Sequence, residues 1–101
     1  MQANAISELE AHVDEAAAFL KLLANEHRLL ILCQLVSNRE MSVNDLASAV
    51  DLSQSALSQH LGRLREDALV AFRREAQTLR YRIADPRTVK LLTTLKQIFC
   101  A

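Results

Sequence analysis

One glycine, Gly62, and one proline, Pro86, are all the turn punctuation that this 101-residue sequence carries. Sandwiches and barrels spend those two residues at turn after turn, because tight turns call for positive φ or for a φ pre-set near −65°. A chain so poor in them is expected to be mainly helical. Half of its residues are hydrophobic and 24% are charged, enough apolar material for a packed core and too much for a disordered chain. At this length it reads as one domain, 1–101.

No apolar run approaches the roughly 18 residues of a membrane span, the longest helical one being Leu29-Leu30-Ile31-Leu32-Cys33. The first ten residues hold no Lys or Arg but do hold Glu8 and Glu10, unlike the basic start of a secretory signal. A cytoplasmic protein without a membrane partner is expected, its two cysteines reduced at rest. The formal net charge is zero, yet residues 1–51 hold three bases against eight acids and residues 52–101 hold nine against four. Such asymmetry predicts a cationic binding face in the second half.

Leu9, Val13, Ala16, Ala17, Leu20, Leu23 and Ala24 follow the 3.6-residue period and predict a first helix over about 8–24. Asn25 is placed to cap a second, 26–37, which is apolar nearly all round and is therefore expected to be buried. Ser42 followed by Asp45 resembles a capping box and opens a third helix, 42–50. Ser53 caps a fourth that runs to about Asp67. The period then changes to two: Val70, Phe72, Leu79, Tyr81 and Ile83 alternate with Arg73, Thr78, Arg80 and Arg82. Strands 69–74 and 78–84 should pair around Glu75-Ala76-Gln77. Asp85-Pro86 then supplies N-cap and first position of a last helix, 86–100. Its apolar residues lie on more than one face, so part of it is expected to pair with another copy of the chain.

The third and fourth helices, joined by a three-residue turn, form a helix-turn-helix. Leu57, Leu61 and Leu64 set the buried side of the fourth helix, leaving Ser55, Gln59 and Gly62 opposite, flanked by Gln54, Ser58 and Arg63. Gln suits adenine and Ser tolerates several base edges, so Gln54, Ser55, Ser58 and Gln59 are the candidate base readers. Arg63 and Arg74 are candidates for phosphates, and Arg73, Gln77 and Thr78 of the hairpin join the DNA-binding set. His60, at the edge of the same helix, is expected to pack or hydrogen-bond there and completes the set. Helices, helix-turn-helix, small β-hairpin wing and last helix make a winged helix whose partner is double-stranded DNA. A module that only docked on a protein would leave the seven Arg between Arg63 and Arg87 without a task.

The stretch Ser53-Gln54-Ser55-Ala56-Leu57-Ser58-Gln59-His60-Leu61-Gly62-Arg63-Leu64-Arg65 resembles the ArsR/SmtB family of bacterial repressors. Leu69-Val70 and Tyr81 after it, and Leu22 to Leu29 before it, extend the resemblance over nearly the whole chain. The resemblance implies a homodimer joined through its first and last helices, which leaves a pseudo-palindromic operator when an inducer binds. Ala68 stands where such proteins usually have Gly, and Ala76 occupies the wing tip. Positive φ strains a residue with a Cβ, so the helix end and wing turn are expected to be shaped differently here.

Many members of that family sense metals through the third or the last helix. Here residues 42–50 hold neither Cys nor His, and residues 86–101 hold no His, Asp or Glu, whereas a zinc site needs about four ligands. His12, His27 and His60 are scattered, so no metal and no other cofactor is expected. Taken singly, Cys33 reads as a small core residue and Cys100 as an exposed bystander. As a pair they resemble the BigR, SqrR and HlyU-like subgroup, which implies redox sensing of persulfides and polysulfides by a dithiol that relieves repression. A general oxidant sensor working through a disulfide, or a metal-responsive regulator, remains the alternative. A thiol enzyme would need a base near its nucleophile, and neither Cys has His, Asp or Glu within four positions.

Overall fold

The computed structural model describes residues 3–100. Its elements are α1 (Ala3–Glu10), α2 (Val13–Leu23), α3 (Glu26–Asn38), β1 (Glu40–Ser42), α4 (Val43–Val50), α5 (Gln54–Glu66), β2 (Val70–Glu75), β3 (Thr78–Ile83) and α6 (Pro86–Phe99). This is the expected mainly helical winged helix-turn-helix, with two additions. The first helix is interrupted at Ala11-His12, where the amide of His12 bonds back to the Leu9 carbonyl at 2.9 Å. A three-residue strand, β1, also joins the hairpin, giving an antiparallel sheet of order β1-β3-β2. Among the described residues no helix is long and apolar enough to cross a membrane.

Local chemistry explains where the helices start. The side chains of Asn25, Ser42 and Ser53 each accept the amide three residues on, Arg28, Asp45 and Ala56, at 3.1 Å. Asp85 accepts the Arg87 amide at 2.9 Å, ahead of a helix that begins with proline. Each bond satisfies one of the amides that a helix N-terminus leaves without a partner.

Two alanines depart from expectation in the opposite sense to the one anticipated. Ala68 has φ 61° and Ala76 φ 57°, so both positions keep the left-handed shape that glycine would adopt without strain. At Ala68 the surroundings impose it. The Leu69 amide reaches the Leu64 carbonyl at 2.9 Å and the Ala68 amide reaches Arg65 at 3.0 Å, the paired bonds of a Schellman motif. Leu64 and Leu69, both buried, anchor its two sides.

The core joins Ile31, Leu32 and Leu35 of α3 to Leu46 and Val50 of α4, Leu57, Leu61 and Leu64 of α5, and Val70 and Tyr81 of the sheet. Leu22 and Leu23 close it from α2. The expectation that 26–37 is buried all round is corrected: Leu30 is 49% exposed and Cys33 and Ser37 are exposed too. These three share a stripe at helical spacing, turned away from the side that α4 and the sheet cover.

Candidate nucleic-acid interface and thiol groove

Gln54, Ser55, Ser58 and Gln59 stand exposed along α5, because Leu57, Leu61 and Leu64 commit the opposite side to the core. Arg63 is exposed as well, with Asp67 at 3.4 Å. Gln54 is the first residue of the helix and donates from Nε2 to Oδ1 of Asn44 on α4. The same two residues line an opening of about 240 Å³ with Val43 and with Gln77, Thr78 and Leu79 of the wing. The fold thus brings Gln54, Gln77 and Thr78 to one place. Asn44 was not singled out from the sequence: an Asn ten residues away, on another helix, carries no local signal until the α4–α5 turn is folded.

The hairpin separates its arginines by register. Phe72 pairs with Tyr81 and Arg74 with Leu79 on the core side of the sheet, whereas Arg73 opposite Arg80 points the other way. On that outer face Arg73 makes a bidentate contact to Glu40, at 2.8 and 3.0 Å, and reaches Glu75 at 3.4 Å. Arg80 meets Glu75 at 2.8 Å. The Arg73 guanidinium holds the Glu40 carboxyl below its usual range, and Glu40 in turn raises Arg73. Arg74 takes part in no ion pair among the described residues.

His60 turns toward α3 and does not stand free on the reading face. Its Nδ1 accepts from Arg28 Nε at 3.4 Å and its ring lies 5.7 Å from that of His27. Burial lowers its pKa, and the neighbouring Arg28 and His27 add to the effect. Arg28 also donates to the Leu22 carbonyl at 3.1 Å, joining α2, α3 and α5 at one point.

Both cysteines are free thiols and both are exposed, which overturns the single-residue reading of Cys33 as core. Cys33, Val36 and Ser37 of α3 face Leu92, Thr93 and Lys96 of α6 across a groove of about 220 Å³. Cys100 ends α6, its amide bonded to the Lys96 carbonyl at 2.8 Å. Among the described residues no group of three or more His, Cys, Asp and Glu is placed to hold a metal ion. A second groove, also about 220 Å³ but almost wholly apolar, lies between Leu20, Leu23 and Ala24, Leu29, and Leu91 and Leu95. Along α1, α2 and α6, Leu9, Val13, Leu20, Ile98 and Phe99 are each at least half exposed.

Comparison with known proteins agrees with this geometry. Residues 25–71 match the family model described as bacterial regulatory protein, arsR family. The chain is 45% identical over 95 residues to the transcriptional activator HlyU of Vibrio cholerae, covering 94% of this chain and 87% of that protein. The Agrobacterium fabrum biofilm growth-associated repressor is 42% identical over 93 residues, covering 92% and 79%. Among solved structures, the transcriptional repressor BigR from Xylella fastidiosa superposes with a TM-score of 0.88 at 37% identity, covering 94% of this chain and 96% of that one.

Proposed function

The chain belongs to the ArsR family of bacterial regulatory proteins, and from that premise we propose that it is a homodimeric repressor that two thiols release from operator DNA. Gln54, Ser55, Ser58 and Gln59 read bases in the major groove, with Arg63, Arg74, Gln77 and Thr78 on the backbone. The exposed apolar side chains of α1, α2 and α6 support a two-fold interface through the first and last helices. Such an interface places two recognition helices on half-sites about 10 base pairs apart, or a multiple of that, in a pseudo-palindromic operator. A single domain carries both tasks, in the cytoplasm with the DNA.

The observation that carries the sensing role is Cys33 open to solvent in a groove walled by the helix that ends in Cys100. A persulfide RS–SH transfers its outer sulfur to a protein thiol and leaves as RSH. When both cysteines have become persulfides, attack of one on the other forms a trisulfide and expels H₂S. The two thiols are thereby oxidised, one of the two transferred sulfane sulfurs is reduced to H₂S, and the other stays in the bridge. A direct disulfide requires Cα atoms within roughly 4.4–6.8 Å, and each added sulfur relaxes that demand.

Gel shifts with reduced and persulfide-treated protein, read beside intact mass spectra, test this. Reduced protein should bind a selected duplex and treated protein should release it, while Cys33→Ser and Cys100→Ser each stay bound after treatment. Release of the double Ser variant by persulfide would remove the dithiol from the mechanism. Leu95→Glu, in the lining of the apolar groove, should sediment as a monomer; an unchanged mass would place the interface elsewhere.

A further inference from the structure

The thiol groove holds one charge that the reading above leaves without a task. Of the six residues that line it, only Lys96 is a Lys, Arg, Asp or Glu. Lys96 shares the groove with Cys33 and stands one helical turn before Cys100, its carbonyl accepting the Cys100 amide at 2.8 Å. Nothing acidic competes for it. Helix α6 has no Asp or Glu, and α3 has only Glu26, seven residues before Cys33. Glu40, seven residues after Cys33, is held by Arg73 at 2.8 and 3.0 Å. Among the described residues Lys96 takes part in no ion pair. Across the groove Thr93 gives its hydroxyl hydrogen to the Val89 carbonyl at 2.9 Å. An ammonium is a compact point charge on a flexible stem. Between walls without acids, it is left for an anion that arrives from outside. The groove, about 220 Å³, is smaller than the roughly 300–1,000 Å³ of a drug-sized pocket, so that anion is a small molecule.

We propose that Lys96 is a specificity-determining residue of the thiol site, selecting small persulfide donors that carry a carboxylate. The inference rests on Cys33 taking sulfur from such donors. With the carboxylate on Lys96, the Cys33 sulfur attacks the donor's outer sulfur and the donor S–S bond breaks. The inner sulfur leaves with the bonding pair, takes the proton that the thiol gave up, and departs as RSH, while Cys33 keeps the outer sulfur as a persulfide.

The test uses the reduced full chain and the persulfides of mercaptopropionate, mercaptoethanol and cysteamine, which differ in carrying a negative, a neutral and a positive head group. Peptide mass spectrometry follows the rate at which Cys33 gains sulfur. The ratio of two donors' rates cancels any change in the reactivity of Cys33 itself. The anionic donor should react about threefold faster than the neutral one and about tenfold faster than the cationic one, the scale of a solvent-exposed ion pair. About 1 M salt should bring the ratios toward one. Lys96→Gln should abolish the preference, Lys96→Glu should reverse it and Lys96→Arg should keep it. Equal rates for the three donors, or a preference that survives in Lys96→Gln and Lys96→Glu, overturns the proposal whether or not the modified chain leaves DNA. A preference that follows Lys96 in a chain that stays on DNA supports the proposal and removes only the release step from the proposed function. If Cys33 gains sulfur from no donor, the sensing role falls, and the role of Lys96 with it.

Discussion

Arg73 and Arg74 are neighbours in sequence and should behave as opposites on DNA. Arg73→Ala is expected to leave the salt dependence of duplex binding almost unchanged, because a phosphate would have to displace two carboxylates that already hold the guanidinium at 2.8 to 3.4 Å. Arg74 is exposed, lies opposite Leu79, and Leu79 lines the same opening as Gln54. Each phosphate neutralised contributes about 0.9 to the slope of log K against log salt, so the two copies of Arg74 in the proposed dimer contribute about 1.8. Over a fourfold rise in salt, from about 50 to about 200 mM, that slope amounts to roughly a twelvefold loss of affinity. The Arg74→Ala variant should escape that loss and should bind every sequence more weakly at low salt. Fluorescence anisotropy with one selected duplex at four salt concentrations measures both slopes. Equal slopes for the two variants, or a slope lost with Arg73 and kept with Arg74, would refute the assignment by sheet face.

Two further outcomes concern stability. Ala68→Gly should raise the melting temperature by about 2–6 °C, since relief of a left-handed residue, about 1–2 kcal/mol, exceeds the roughly 0.5–1 kcal/mol of added chain entropy; a lower melting temperature would mean that φ 61° carries no strain here. His60, whose folded pKa lies below 6.5, stays neutral more readily when folded than when unfolded, so the chain should lose stability as pH falls below about 6.5. Denaturant melts of His60→Gln between about pH 7 and 5 should show a flatter profile, and an unchanged profile would remove His60 as the source.

What the sequence made legible is what depends on short-range chemistry. Asn25, Ser42, Ser53 and Asp85 could be read as caps because a cap involves only the next three residues, and each accepts the bond expected of it. The change of period at Val70 marked the wing for the same reason. The interruption at Ala11-His12 carried no such mark: neither residue is a helix breaker, and the apolar stripe from Leu9 to Leu20 runs through it. Strand β1 is three residues long, too short for alternation to register. Cys33 was misplaced for a different cause. Periodicity reports that a helix face is apolar, without distinguishing a face covered by its own chain from one left open as Leu30 is. The sole glycine misled least by being irrelevant to turns, for Gly62 sits within α5 with nothing within 4 Å of where a Cβ would stand.

Helix α3 touches both the thiol groove and the recognition helix. Cys33 faces α6 from its middle, and Arg28, five residues earlier and about 7.5 Å along the axis, bonds to His60 on the recognition helix. It is tempting to let that bond transmit the signal, but its magnitude forbids it. A partly buried side-chain hydrogen bond at 3.4 Å is worth on the order of 1 kcal/mol, whereas emptying a nearly full operator needs about 5.5 kcal/mol of differential affinity. The larger lever is α6, which walls the thiol groove with Leu92, Thr93 and Lys96 and offers Leu91 and Leu95 to the apolar groove on its other side. A sulfur bridge from Cys33 to the end of that helix would act on the proposed dimer interface, and through it on the spacing of the two recognition helices of the proposed dimer. In the proposed dimer, losing register at both half-sites would forfeit several base contacts together, each worth about 1–3 kcal/mol, which is the scale that release demands.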